Sequence, residues 1–170
     1  MGWNTSALFV RDRTPESLLS LLGDAPIEAV GEVSAEEATS SFPADRVYVQ
    51  SDGSWAQLWD PAARVVLDPE ALMTIEATEV LLGTVALVVL VFSTSDTYGF
   101  WYYEDGALTR CGVFSEGERV EEVGEPLPAE TAVAVGPDGV DEDYIFSVAH
   151  ALTGQTLDLD APFAAYTVED

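Results

Sequence analysis

The stretch Val85-Ala86-Leu87-Val88-Val89-Leu90-Val91-Phe92 is apolar throughout and rich in β-branched residues. A run of this length without polar alternation predicts a strand covered on both faces. The apolar character reaches back to Val80, but Gly83 and Thr84 interrupt it. At about 13 residues the whole run is short of the roughly 20 that a membrane-spanning helix needs. Residues 93–97 then turn the chain into an aromatic-rich segment, 98–104 (Tyr-Gly-Phe-Trp-Tyr-Tyr-Glu), and Asp105-Gly106 makes a tight turn into 107–114. Three strands joined by short turns predict an antiparallel meander.

Upstream, residues 6–10 read as a first strand, and Thr14-Pro15-Glu16 places an N-cap before a proline at the first helical position. Leu18, Leu19, Leu21 and Leu22 give that helix its apolar side, and Gly23 closes it. A short strand is expected at 27–33, and a helical turn or loop at 36–41. Residues 46–50 and 55–59 flank Ser51-Asp52-Gly53-Ser54, a β-hairpin pattern with Asp-Gly in the turn. Asp68-Pro69-Glu70 repeats the N-cap and proline device and predicts a second helix to about Leu82, with Leu72, Met73, Ala77 and Val80 inward.

Downstream of the meander, residues 117–124 continue the sheet until Glu125-Pro126-Leu127-Pro128 breaks it. Residues 141 to about 152 form the last helix, with carboxylates in its first turn suited to the helix dipole. A short strand at 163–168 ends the chain. The expected class is α+β, one domain spanning 1–170. A central, mainly antiparallel sheet, with its meander at about 85–114, packs with about three helices.

Lysine is absent, and six arginines face 31 carboxylates for a formal charge of −25. No basic residue follows Arg119. Such a balance argues against nucleic-acid and anionic-membrane binding, whose affinity comes from Lys and Arg neutralising phosphates. It favours a basic protein partner. High-GC coding and salt adaptation produce the same bias and account for part of it. With 48% hydrophobic residues the charge rides on a folded body and not on a disordered tail. The single Cys111 allows no intramolecular disulfide and no thiolate zinc site. Met1-Gly2-Trp3-Asn4-Thr5 lacks a basic n-region, so a cytoplasmic location is expected.

No catalytic constellation stands out, and a non-enzymatic protein without cofactor or metal is expected. His150, the one histidine, sits near a helix C-terminus, where it suits the last carbonyls better than catalysis. Cys111 beside Arg110 on a strand reads as a small core residue, because alternation sends the two side chains to opposite faces. The oxygen-rich loop 136–143 resembles a calcium loop in composition but lacks the EF-hand order of ligands. The distinctive features are two acidic stretches and one aromatic strand. Glu116, Glu118, Glu121, Glu122 and Glu125 crowd together against Arg119 alone, and Asp138, Asp141, Glu142 and Asp143 follow. Trp101 and Tyr103 share one strand face and are candidate anchors for a partner.

Three patterns carry a resemblance: Met1-Gly2-x-x-Thr5 before an apolar strand, Tyr103-Glu104-Asp105-Gly106-x-Leu108-x-Arg110, and Val120-x-x-Val123-Gly124-Glu125-Pro126-Leu127-Pro128-x-Glu130. Together, about a quarter of the chain, they resemble small uncharacterised actinobacterial proteins, some similar to the immunity proteins of toxin systems. The resemblance implies an α+β fold and a protein-binding role, with no catalytic residues to carry over. The leading expectation is thus an immunity-like inhibitor of a basic toxin or nuclease. The alternatives are a DNA mimic that blocks a nucleic-acid-binding protein, a hydrolase built on a carboxylate pair, and a structural or oligomeric module.

Overall fold

The computed structural model describes residues 4–22, 26–39, 45–52, 54–62, 80–133, 135, 139–154 and 161–168. Among the described residues nine strands form one sheet: β1 (Asn4–Arg11), β2 (Ile27–Val33), β3 (Arg46–Asp52), β4 (Trp55–Trp59), β5 (Val85–Phe92), β6 (Thr97–Glu104), β7 (Ala107–Ser115), β8 (Glu118–Val123) and β9 (Phe163–Val168). Their order is β2-β9-β3-β4-β1-β5-β6-β7-β8, and every neighbouring pair is antiparallel. The helices that fall wholly within the described residues are α1 (Pro15–Leu19), α2 (Ala35–Ala38), α3 (Pro128–Ala132) and α4 (Glu142–Thr153).

This corrects the α+β expectation with about three helices: the fold is mostly sheet. Among the described residues the longest helix, α4, has 12 residues, and α1 has only five before it tightens into a 3₁₀ turn at Ser20–Leu22. The N-cap and proline signals mark where a helix starts and carry no information on its length. Thr14 does cap α1, accepting a hydrogen bond from the Ser17 N–H at 3.2 Å. The helix expected from Asp68 to about Leu82 falls largely outside the described residues; of it only Val80, Leu81 and Leu82 are described, the first two helical and Leu82 in a turn. The break at 125–128 leads into α3, which the sequence reading does not contain.

Both faces of the sheet are covered, which explains the unbroken apolar runs in β1 and β5. On one face Phe9, Leu87, Val89 and Phe100 pack with Ile145, Val148 and Ala149 of α4 and with Ala35 and Ala38 of α2. On the other, Leu8, Val10, Val49, Leu58, Val88 and Leu90 pack with Leu18 and Leu19 of α1. Asp141 caps α4 by accepting from the Tyr144 N–H at 3.1 Å, and Gly154, at φ +72°, ends it. Long-range pairing completes the sheet: β1 lies between β4 and β5, and the late strand β9 slots between β2 and β3. Of the two ends of the strand order, β8 is exposed along its length and β2 at every residue but Val33.

Candidate partner-binding surface

The corner made by β6, β7 and β8 is fixed from within by Arg110, which is fully buried. Its Nε and Nη2 donate to the two carboxylate oxygens of Glu130 at 2.9 and 2.7 Å. Its Nη1 donates to Glu122 at 2.7 Å and to the Gly124 carbonyl at 3.0 Å. Glu130 also accepts from the Leu127 N–H at 2.6 Å, so one carboxylate ties the start of α3 to the sheet. These hydrogen bonds, led by those to Glu130, hold the guanidinium as a cation against the burial that opposes its charge. Hydrogen bonding from Arg110, with help from Arg119, holds Glu122 below the usual carboxylate range. Gly124 is at φ +75°, and a Cβ there would run into the Thr109 carbonyl oxygen. Only glycine lets the chain leave β8 so close to β7.

A β-bulge sorts the charges of β8. The pairing passes from Glu121 opposite Val113 to Arg119 opposite Phe114, leaving Val120 as the extra residue. Glu118 opposite Ser115, Glu121 opposite Val113 and Val123 opposite Cys111 therefore occupy successive places on one face. Trp101 is opposite Cys111 in turn, so this face leads inward to the aromatic strand. Arg119 and Glu122 take the other face, 3.0 Å apart, and the Arg119 guanidinium lies 5.1 Å from the centre of the Phe114 ring. Glu122 is thus spent on two arginines, whereas Glu116, Glu118, Glu121 and Glu125 are exposed with no ion pair among the described residues.

The two acidic stretches meet. The turn Glu116-Gly117 abuts the loop before α4: a Cβ at Gly139 would stand 3.5 Å from Gly117 Cα. The Glu116 N–H donates to the Asp96 carbonyl at 3.0 Å, which brings in the β5–β6 turn. Asp96, Glu116 and Glu118 therefore share one end of the sheet with Asp141, Glu142 and Asp143. Within this group Asp141 is committed to capping, and Glu142 accepts from the Tyr98 hydroxyl at 3.3 Å. Burial raises the Tyr98 phenol, and the Glu142 and Asp96 carboxylates add to the shift. Asp143 is exposed, and Asp138 lies outside the described residues.

Trp101 and Tyr103 are half-buried and pack against the core on the face opposite α4. Burial pushes the Tyr103 phenol up to about 12, and the Cys111 thiol adds to it. Cys111 itself is buried, and burial followed by the nearby Glu121 raises its thiol, which disfavours the reactive thiolate. His150 is exposed in the last turn of α4. Among the described residues no group of three or more His, Cys, Asp or Glu side chains has the geometry to hold a metal ion. None of the described helices is long and apolar enough to cross a membrane.

Sequence reasoning missed two parts of this corner. Asp96 joins the acidic end through a turn that only the sheet register reveals. The Arg110–Glu130 pair lies 20 positions apart, and its signal in the sequence was a carboxylate in the first turn after Leu127-Pro128, a capping-box position. Comparison of the chain with protein-family models, with curated proteins and with solved structures finds no match to any of them.

Proposed function

We propose that this chain is a non-enzymatic acidic binding module whose working surface is the corner of β7, β8 and the start of α4. The observation that carries the reading is the meeting of the two acidic stretches at Gly117 and Gly139; Glu118 and Glu121, on the sheet face opposite α4, border the same corner with no ion pair among the described residues. Carboxylates gathered at one end of a chain with formal charge −25 concentrate a negative field there. Such a field speeds encounter with a basic protein and repels phosphate backbones and anionic lipid. Arg110 and Glu130 hold the corner in shape, so little ordering is left for the moment of binding.

The partner class that fits is a basic toxin or nuclease, whose cationic, phosphate-reading surface an immunity-like inhibitor would cover. Capture from a native lysate of the source organism at low salt tests the idea. A basic protein that is retained, released as salt rises and inhibited when bound supports it. Recovery of no basic protein at low salt, or binding indifferent to salt, sinks it.

A further inference from the structure

β8 closes the strand order, bonds to β7 on its inner side and is exposed over Glu118–Val123, while Gly139, an isolated bridge residue, lies against Gly117 just before the strand begins. We propose that an extended basic segment of a protein partner adds to this edge as a further strand, with cations at alternate positions facing Glu118 and Glu121. The inference rests on the reading of the chain as a binder of a basic protein, and it specifies how that protein is held.

An open edge offers unpaired N–H and C=O groups to any extended chain, and natural proteins guard such edges with charge and bulges. Here the guard is selective. A second copy of this chain would bring Glu118 and Glu121 against its own carboxylates, and like charges directly opposite each other are unfavourable. A basic strand reverses that sign while using the same backbone groups, the arrangement of strand addition.

The Val120 bulge sets what the strand must look like. It places Glu118 and Glu121, three apart in sequence, in successive positions of one face, with Val123 next and 37% exposed. The added strand therefore carries two cations with one residue between them, and then an apolar residue on the same face. Its other face meets Glu122, already bound by Arg110 and Arg119, and needs no cation. The opposite edge lacks this design: a bulge between Ala29 and Gly31 interrupts β2, and its Glu28 and Glu32 point to opposite faces.

The test uses a short synthetic peptide alternating arginine and threonine, titrated into the labelled protein at low ionic strength and followed by backbone amide shifts. Two control peptides accompany it, one N-methylated at every second amide and one with its arginines in adjacent pairs. Shifts centred on residues 118–123 are expected. N-methylation, which removes edge hydrogen bonds but keeps charge, should weaken binding by about tenfold or more. Weaker binding of the paired-arginine peptide, and loss of binding in the double variant E118Q/E121Q, are expected as well. Equal binding of the N-methylated peptide, or shifts confined to residues 141–143, would overturn strand addition and leave the acidic-module reading intact. If no basic peptide binds at all, both fall. A protein that is dimeric alone, with amides 118–123 protected from exchange, has a second copy on this edge, and that too overturns the proposal.

Discussion

Replacing Glu130 by glutamine keeps the size of the side chain and one carbonyl acceptor but removes the charge that faces Arg110. The guanidinium is fully buried, and Glu130 takes two of its hydrogen bonds, at 2.9 and 2.7 Å. Glu122 and the Gly124 carbonyl remain, both through Nη1. Removing one partner of a buried ion pair costs about 3–5 kcal/mol when the other charge stays desolvated without compensation, and the retained Glu122 at 2.7 Å moves this loss toward the lower end. At about 2–4 °C per kcal/mol for a domain of this length, Tm falls by about 6–20 °C. Urea denaturation followed by circular dichroism reads the change in the midpoint, and Arg110→Met with Glu130→Leu completes the comparison. The double variant is expected to recover most of the loss, since buried ion pairs are often replaced by apolar groups without net cost. A loss under about 1 kcal/mol for E130Q, the size seen for exposed pairs, would refute the claim that this pair holds the corner.

Other outcomes follow from the same geometry. Glu122 titrates below the usual range when folded, so its contribution is present above its unfolded pKa and lost as pH falls through the folded one. The urea midpoint of the wild type should therefore drop on acidification below about pH 4.3, the ordinary glutamate value, and E122Q should flatten part of that drop. An unchanged acid profile in E122Q contradicts the pairing with Arg110. Gly124→Ala forces a Cβ against the Thr109 carbonyl at positive φ and should destabilise by more than about 1 kcal/mol, measured by the same denaturation. Tyr103 should ionise at about 12, visible as a late transition in carbon shifts of labelled tyrosine that is missing from Tyr103→Phe. Ionisation in the ordinary range near 10 would mean that the ring is not buried as described.

Segments whose neighbours are close in sequence were legible from local pattern. Val85–Phe92 shows its two buried faces in its own composition, and Asp105-Gly106 marks the turn between β6 and β7. The balance of sheet and helix was not legible, because it depends on β9 entering between β2 and β3 and on β1 bridging β4 to β5. Each strand there is short, and nothing local says which distant strand will pair with it. The candidate surface divides in the same way. That Glu116 to Glu125 and Asp141 to Asp143 are acidic is plain from the chain, but their meeting at Gly117 and Gly139 is a tertiary fact. So is the split of roles, in which Glu122 and Asp141 serve the fold while Glu118, Glu121 and Asp143 face solvent. Trp101 and Tyr103 alternate as expected, and their packing against the core rather than full exposure was set by what covers that face.

The central claim is that the charge is local, and two variants of equal net charge separate it from bulk acidity. One carries Glu116→Gln, Glu118→Gln, Glu121→Gln and Asp143→Asn, at the corner. The other carries Glu16→Gln, Glu28→Gln, Glu32→Gln and Glu36→Gln, exposed residues on α1, β2 and α2. The affinity for a basic protein captured at low salt is then compared between them by calorimetry. The corner variant should lose binding by about tenfold or more, as expected when several close charge pairs go, while the other stays near wild type. Equal losses in both variants would show that net charge alone attracts the partner, and the assigned surface would be wrong.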